Sequence, residues 1–307
     1  MIRRVTIAIA TLIVGCTSTS EEPKPPKPPE KAFDHFIART RNHAWPNSYL
    51  LALTSKYADE LMQSGGPEKQ TAFVKKMRAM GMTRIDFIEH RDAGYEVQAA
   101  VLSNNKVIVI VFRDPGAKML SSFIDNWLLT DANLMLAPDN RYGIGARVHT
   151  GLHRVIEEMR RDIGRHARSH GAGQGQSLWF TGHGNGGALA TVGASAAARA
   201  GFAVAGVSTY GAPRPGNDAY AINYAKLSFT CQRWVYDNDL LATIPPDITL
   251  GYRHAGSLNN IRADGFIRVN DKENRAVGDI KKHNIEFYID TIGRAQPDGL
   301  RAKMDAY

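Results

Sequence analysis

The segment Trp179–Ala190 places an apolar run, a turn dense in glycine and a run of small residues in direct succession. Glycines fall at positions 182, 184, 186 and 187 of this segment. The order predicts a buried strand, a sharp turn and a helix of small residues. The chain must therefore fold so that a strand of a sheet leads directly into a helix packed on that sheet.

The rest of the chain alternates strand and helix patterns in the same way. The run Lys106–Phe112 is continuous and rich in β-branched residues, which is typical of a central strand buried on both faces. Other predicted strands cover Thr83–Glu89, Tyr95–Leu102, Leu178–Thr181, Phe202–Tyr210 and Arg233–Tyr236, and predicted helices cover Asn47–Met62, Gly151–His166 and Gly187–Ala200. This alternation predicts an α/β domain with a mostly parallel central sheet flanked by helices.

The composition fits one domain of this kind. Of the 307 residues, 43% are hydrophobic, which is enough to build a core. The formal charge of +8 suits a mildly basic surface or an anionic membrane, and no aromatic-interleaved basic stripe indicates nucleic acid. Because the histidines are scattered and no H-E-x-x-H or Cys/His cluster occurs, we expect no metal and no cofactor. Cys231, in an apolar stretch, is interpreted as an inert core thiol.

The first residues have the pattern of an export signal. Two arginines precede the apolar run Val5–Val14, which is too short to span a bilayer as a mature helix. The pair Gly15-Cys16 resembles the end of a bacterial lipobox, which implies a signal peptide over 1–15 and a lipid on Cys16. Because Thr17 follows, the resemblance implies a lipid-anchored protein of the bacterial cell envelope, at the outer membrane. An ordinary secretory signal with a chance cysteine is the alternative.

A proline-rich segment separates this signal from the folded domain. Within residues 16–32, the stretch Glu21–Glu30 favours extended polyproline II, at about 3.1 Å per residue. We interpret the segment as a tether, with an SH3-type ligand as the alternative. The folded domain is predicted to cover residues 33–307.

The glycine-rich turn has the layout of a nucleophile elbow. In that motif, G-x-S-x-G, a sharp strand-to-helix turn lifts a serine above the sheet. Here the motif is Gly182-His183-Gly184-Asn185-Gly186, and its centre is Gly184. The sequence therefore predicts a scaffold for acyl transfer from which the attacking hydroxyl is missing.

Seven segments between about Asn47 and Ile292 resemble motifs of the class 3 lipases, the fungal-lipase-like branch of the α/β hydrolases. The segments are Val111–Arg113, Asn126–Asp131, Val148–Leu152, Gly182–Ala190, Tyr210–Asn217, Asn238–Pro246 and Tyr252–Gly256. The resemblance implies an α/β-hydrolase fold and an activity on carboxylic esters of lipids. It also places a lid over an acyl cleft near Met119–Ile124, where ordinary helix packing is the alternative.

The resemblance implies a triad in the chain order nucleophile, acid, base. It assigns Asp239 as the acid and His283 as the base, with Asp237 as a competing carboxylate. A turn aspartate and an exposed loop histidine are the alternatives for the two assigned residues. His149 and His254 match family histidines that look structural, and we do not assign them to catalysis.

Two departures from the family pattern affect catalysis. Gly184 offers no oxygen to attack a carbonyl, and loss of a triad serine costs on the order of a millionfold in turnover. The family's R-G-T or R-G-S becomes Arg113-Asp114-Pro115-Gly116, so Pro115 removes one backbone N–H of the oxyanion hole. The amide of Asn185 would supply the other donor. A small insertion could place Gly116 and Ala117 at the lost position, and a tight turn is the ordinary interpretation.

Four hypotheses about function follow. A pseudoenzyme would bind a lipid or ester ligand in the acyl cleft, or a partner, and the two coincident losses favour it. An active lipase or esterase would carry serine at position 184 of the native protein. Asp239 and His283 could also activate water directly, giving slow hydrolysis. Finally, Gly182, Gly184 and Gly187 spell the dinucleotide fingerprint G-x-G-x-x-G, although the acidic residue expected about twenty positions later is missing.

Overall fold

Strands and helices alternate along the part of the chain that the computed structural model describes, residues 30–40, 42–62, 67–92, 95–114, 136–247, 251–271, 278–297 and 299–305. The strands are β1 (Arg84–Asp92), β2 (Tyr95–Ser103), β3 (Val107–Phe112), β4 (Leu136–Pro138), β5 (Arg147–His149), β6 (Ser177–His183), β7 (Val204–Tyr210), β8 (Gly216–Asn217), β9 (Thr230–Tyr236), β10 (Tyr252–Arg253), β11 (Ser257–Ile261) and β12 (Ile267–Asp271). The helices are α1 (Trp45–Leu61), α2 (Pro67–Ala79), α3 (Thr150–Ser169), α4 (Gly184–Arg199), α5 (Asp218–Tyr224), α6 (Ile285–Arg294) and α7 (Leu300–Asp305).

Several predicted features lie outside the described residues. These are the signal peptide over 1–15, Cys16 and nearly all of the tether, together with Pro115, Gly116, Ala117, the candidate lid Met119–Ile124 and the segment Asn126–Asp131. Among the helices that are described, none is long and apolar enough to cross a bilayer.

The main sheet has eight strands in the order β1-β2-β3-β6-β7-β9-β11-β12. The central strands β3, β6, β7, β9 and β11 run parallel, and the outer pairs β1–β2, β2–β3 and β11–β12 are antiparallel. A smaller antiparallel sheet has the order β10-β8-β5-β4. The predicted α/β fold with a mostly parallel central sheet is confirmed, and the α4 and α5 crossovers connect its parallel strands.

The two faces of the main sheet enter two separate cores. Val109 and Val111 of β3 pack in the core that α1 and α6 cover, whereas Ile110 and Phe112 pack in the core beneath α3 and α4. All four side chains are fully buried. The continuous apolar run of this strand is thus explained by burial on both faces.

The structure differs from the sequence-based boundaries at several elements. The helix after the elbow begins at Gly184 rather than Gly187, because the turn is made at a single residue without an intervening loop. Strands β7 and β9 begin at Val204 and Thr230. The smaller sheet and the β11–β12 hairpin were not predicted, since their strands are short or mix polar and apolar residues without alternation.

The interpretation of Cys231 as a buried thiol agrees with its surroundings. Its side chain lies in the core, and its Sγ is 3.8 Å from the carbonyl oxygen of Ala255. Burial raises the pKa of this thiol to about 11, so that it stays protonated and unreactive at neutral pH.

The turn between β6 and α4 requires the absence of side chains. A Cβ on Gly182 would collide with the backbone of Gly186, and a Cβ on Gly186 would collide with the carbonyl of Phe112. Gly184 has a φ of +53°, in the left-handed region where glycine is at least cost. These glycines let the first turn of α4 pack directly against the ends of β3 and β6.

We predict that Gly182→Ala lowers the free energy of unfolding by about 1–3 kcal/mol, because its methyl group has no space beside the backbone. Gly164→Ala, in the middle of α3, is the matched control, since its new Cβ would find its nearest neighbours at 3.4 Å. The control should be neutral or stabilising by up to about 1 kcal/mol through helix propensity. Urea denaturation followed by circular dichroism measures both; equal effects would contradict this account of the elbow.

Candidate active site

The elbow presents a residue without a side chain to the imidazole of His283. Gly184 is the first residue of α4 and is buried. A Cβ built there would lie 2.9 Å from His283 Nε2 and would overlap the carboxylate of Asp114. Position 184 therefore faces the histidine as the centre of an elbow should, while the space for its side chain is already filled.

Asp239 and His283 form a closely paired acid and base. The Nδ1 of His283 lies 2.9 Å and 3.1 Å from the two carboxylate oxygens of Asp239. Asp239 is fully buried and also accepts hydrogen bonds from the hydroxyl of Tyr288 and the backbone N–H of Leu241. The structure thus brings together both residues that the resemblance assigned, and it holds the imidazole by the nitrogen that faces away from Gly184.

Local backbone contacts explain why the two residues meet. Asp239 comes three residues after β9, and His283 ends the single 3-10 turn Ile280–His283. The two segments are joined because the N–H of Asp279 donates to the carbonyl of Asn238 at 2.8 Å, beside an isolated parallel bridge.

The competing carboxylate, Asp237, points elsewhere. Its Oδ2 lies 3.5 Å from the ammonium of Lys282, which places it in a surface ion pair. Its backbone has a φ of +50°, so it forms the bend at the end of β9. The geometry therefore favours Asp239 over Asp237 as the partner of His283.

Asp114 is a site residue that sequence reasoning did not assign. It lies two residues beyond β3, and its Oδ2 is 4.0 Å from His283 Nε2. Its Oδ1 accepts a hydrogen bond of 3.3 Å from the side-chain amide of Asn185, and its backbone N–H donates to Asp59. One sequence feature does mark Asp114, because the class 3 lipase pattern has glycine at this position. From the sequence alone, however, the segment is interpreted only as a turn in which Pro115 lacks a backbone N–H.

A second histidine–aspartate pair, His183 and Asp59, contacts His283. The Nδ1 of His183 lies 3.0 Å from Asp59 Oδ2, and its Nε2 lies 2.9 Å from the carbonyl oxygen of His283. The two imidazole rings stack with centroids 4.3 Å apart. Asp59, on α1, is a second residue that sequence reasoning missed, because it is more than a hundred residues from His183 in the chain. These contacts fix both the ring and the backbone of His283.

The charges around His283 favour its protonated form. Burial alone would lower the pKa of His283, but the carboxylates of Asp114 and Asp239 outweigh it and raise this pKa from 6.5 to about 9. Burial also raises the pKa of Tyr288 well above its usual value, so that Tyr288 remains a neutral donor to Asp239. At neutral pH the site is therefore an imidazolium held between two carboxylates.

The candidate oxyanion-hole donors are only partly described. Asn185 is the second residue of α4, so its backbone N–H is among those without an acceptor inside the helix. Its side chain is nearly fully buried and is held by Asp114. Pro115, the family position of the other donor, lies outside the described residues.

The two histidines set aside as structural do not join the site. The Nδ1 of His149 accepts a hydrogen bond from the N–H of Gly151, at the start of α3, and burial lowers the pKa of His149 to about 3. His254 donates from Nε2 to the carbonyl of Ala242, and burial lowers its pKa well below the usual value. Both stay neutral and cap backbone groups.

Comparison with known proteins finds similarity to lipases. Residues 118–249 match the family model for lipase (class 3). A curated relative, the secreted mono- and diacylglycerol lipase 1 of Fusarium solani, is 37% identical over 112 residues, which is 36% of this chain. That match spans only 33% of the relative's own length.

Solved structures of lipases share the fold. The triacylglyceride lipase of Rhizomucor miehei superposes with a TM-score of 0.58 at 20% identity, covering 76% of this chain and 90% of the lipase. A lipase from Rhizopus microsporus var. chinensis superposes with a TM-score of 0.56 at 17% identity, covering 77% and 83% of the two chains. The predicted α/β-hydrolase fold is confirmed.

The predicted localisation in a bacterial outer membrane is wrong. The curated relative is a fungal protein named as secreted, and the solved lipases that share the fold are also fungal. The lipobox resemblance at Gly15-Cys16 rests on a few residues, and a secretory signal followed by a chance cysteine produces the same pattern.

The sequence motifs, the shared fold and the family match all indicate the same relationship. Residues 118–249 of this chain are similar to the class 3 lipases, and the chain has the α/β-hydrolase fold.

Proposed function

We propose that this protein binds a lipid or ester ligand at the elbow and does not hydrolyse it. One observation carries the proposal: the carboxylate of Asp114 occupies the space that a side chain at Gly184 would need. The elbow therefore lacks a hydroxyl, and the present position of the Asp114 carboxylate leaves no room for one. The fold supports a lipid or ester as the ligand class, because the protein is related to lipases.

The neighbouring hydroxyls do not replace the missing serine. Thr191 donates to the carbonyl of Gly187 at 2.9 Å, one turn earlier in α4. Ser195 bonds to the carbonyl of Val192 and to Tyr220. Both hydroxyls are buried within the helix packing, so neither can reach a carbonyl carbon at the elbow.

The charge state of His283 also opposes hydrolysis. A general base must hold a free lone pair on the nitrogen that faces the attacking group. Because Asp114 and Asp239 raise the pKa of His283 to about 9, neutral pH favours the form that carries a proton on both nitrogens. This argues against direct activation of water by the Asp239–His283 pair, the third of the four hypotheses.

The hypothesis of an active native enzyme with serine at position 184 meets the same obstacle. The Cβ of a serine at this position would overlap Asp114, so that the aspartate would have to move or be absent. Glycine at 184 is thus compatible with the present position of the Asp114 carboxylate, whereas serine requires that carboxylate to move. This favours a loss of catalysis that involved both positions.

The dinucleotide hypothesis gains no support from the site. Gly182, Gly184 and Gly187 do lie between β6 and α4, where a fingerprint would lie. A diphosphate, however, would have to sit at the N-terminus of α4, where the carboxylate of Asp114 already contacts Asn185. A negative charge at this position would repel the ligand.

We also propose that the protein is extracellular, because its curated relative is secreted. In this proposal residues 1–15 act as a cleaved signal peptide and residues 16–32 as a proline-rich spacer. The folded domain then covers residues 33–307. Mass spectrometry of the secreted protein would test the cleavage site.

The binding and the absence of turnover can be tested together. After incubation with a monoacylglycerol or a diacylglycerol, native mass spectrometry should show the intact ester bound to the protein, and the solution should contain no free fatty acid. We choose these probes because the curated relative is named as a mono- and diacylglycerol lipase. Free fatty acid released by the wild-type protein, and lost in His283→Ala, would contradict the proposal.

We predict that Gly184→Ser alone leaves hydrolysis of p-nitrophenyl butyrate at background, whereas Gly184→Ser combined with Asp114→Gly produces measurable turnover. The double variant clears the carboxylate from the serine's space and removes one of the charges that keep His283 protonated. Asp114→Gly alone, and the double variant carrying His283→Ala, are the matched controls and should stay inactive. Equal activity in the single and double variants would show that Asp114 is no obstacle.

We also predict that Asp114→Asn lowers the pKa of His283 by about one unit or more, as measured by NMR titration of the imidazole nitrogens. Asp237→Asn is the matched control, because its carboxylate faces Lys282 and should leave that pKa near 9. Because folding raises the pKa of His283, protonated His283 stabilises the folded state. This contribution to the free energy of unfolding is complete below about pH 6.5 and is lost as the pH rises through about 9.

The same titration has a consequence for unfolding. The wild-type protein should lose up to roughly 3 kcal/mol of unfolding free energy between these pH values, and Asp114→Asn should lose less. Chemical denaturation at pH 6 and at pH 9.5 measures the difference. An identical pH dependence in both proteins would contradict the assigned role of Asp114.

A further inference from the structure

A second cluster of histidine and carboxylate side chains lies far from the elbow. Asp86, on β1, contacts His166 near the end of α3 and His170 at the C-terminal cap of that helix. The Oδ2 atom of Asp86 lies 2.9 Å from His170 Nε2 and 3.3 Å from His166 Nδ1. Ser103, which also contacts this cluster, pairs with Ile108 at the start of β3. The cluster therefore lies toward the edge of the sheet opposite the elbow.

Two of the three separations between these ligand atoms are close to those of a zinc site, and the third is below 4.8 Å. One ligand atom from each side chain lies within 4.8 Å of the others. In a tetrahedral zinc site with bonds of about 2.0–2.1 Å, ligand atoms are separated by roughly 3.4 Å. The separations of 2.9 Å and 3.3 Å need to open by only a few tenths of an ångström. His166 and His170 are four residues apart at the end of one helix, so both rings face the same strand.

A hydrogen bond between His170 and Ser103 orients the imidazole ring for zinc binding. The side chain of His170 is fully buried, and its Nδ1 lies 2.8 Å from the hydroxyl of Ser103. This hydrogen bond fixes the ring so that Nε2 points at Asp86. Outer contacts of this kind are a regular feature of histidines that bind metals.

The site is also reachable from solvent. The side chains of His166 and Asp86 are 22% and 30% exposed, so an ion can enter and keep water on its open position. The present occupant of the same carboxylate oxygen is the guanidinium of Arg84, at 3.0 Å. Arg84 is half exposed, and it also donates to the carbonyl oxygen of Ser169 at 2.5 Å and to the Ser169 hydroxyl at 3.3 Å, so it is a competitor for the site that can be removed by mutation.

We propose that Asp86, His166 and His170 form a zinc-binding site that joins strand β1 to the C-terminal end of α3. The pair His166 and His170 is local in sequence, but the sequence does not indicate its third member, because eighty residues separate Asp86 from His166. The site is independent of the proposed function at the elbow. Its role is structural: bound zinc would fix the outermost strand of the main sheet to the helix above it.

A similar cluster on the same helix provides the control. Asp139, His153 and Glu157 also bring three ligand atoms together. There the guanidinium of Arg141 contacts both Asp139 and Glu157, and its backbone N–H also donates to Asp139. Because this arginine occupies two of the three candidate ligands, we expect no zinc at that cluster.

The test is calorimetric titration of zinc into the full chain, purified without a polyhistidine tag. The wild-type protein should bind one zinc ion, and Asp86→Asn and His166→Ala should each weaken binding more than tenfold. Arg84→Ala should tighten binding severalfold by removing the competitor, and His153→Ala should leave it unchanged. Ser103→Ala should weaken binding by about tenfold, as expected when an orienting contact is lost.

Two further measurements keep the proposal open to refutation. Circular dichroism of each variant without zinc confirms that it is folded, and Co²⁺ in place of zinc should give the strong visible absorption of a tetrahedral site in the wild type and in Arg84→Ala. Absence of zinc binding in both of these proteins would overturn the proposal. So would full binding by folded His166→Ala, or loss of binding in His153→Ala.

Discussion

The close packing of α4 against the ends of β3 and β6 is the constraint on which the site depends. It exists because residues 182 and 186 have no Cβ, so that helix and strand backbones meet without a loop between them. The same packing brings the residues that follow Phe112 over the first turn of the helix. The position of Asp114 beside Gly184 is therefore a consequence of how the elbow folds.

The residues at positions 184 and 114 are best understood as one change. Glycine at 184 leaves a gap beside His283, and the carboxylate of Asp114 fills it. Reversing only one of them would create either a steric overlap or an empty space in a packed site. In the proposed loss of catalysis, they place a carboxylate near a protonated imidazole where the family pattern has a serine hydroxyl.

The sequence predicted the features that are encoded locally. The buried run of β3, the turn at Gly184 and the positions of Asp239 and His283 could all be derived from short contiguous patterns or from motifs matched one by one. Asp59 and Asp114 contact residues more than a hundred and about seventy positions away; no local pattern marks Asp59, and the departure from the family motif at Asp114 does not indicate its contact with the elbow. The localisation was wrong for a related reason, since a few residues around Cys16 carried it alone.

The survival of the Asp239–His283 pair has a physical explanation that does not involve catalysis. Asp239 is fully buried and is satisfied by His283, Tyr288 and the N–H of Leu241. Removing one partner of such a buried pair leaves an uncompensated charge and costs about 3–5 kcal/mol. Once the nucleophile is gone, stability alone can therefore retain the acid and the base. For this reason the pair is weak evidence of activity in a lipase-like chain, and the residue at the elbow, with the space around it, is the more informative feature.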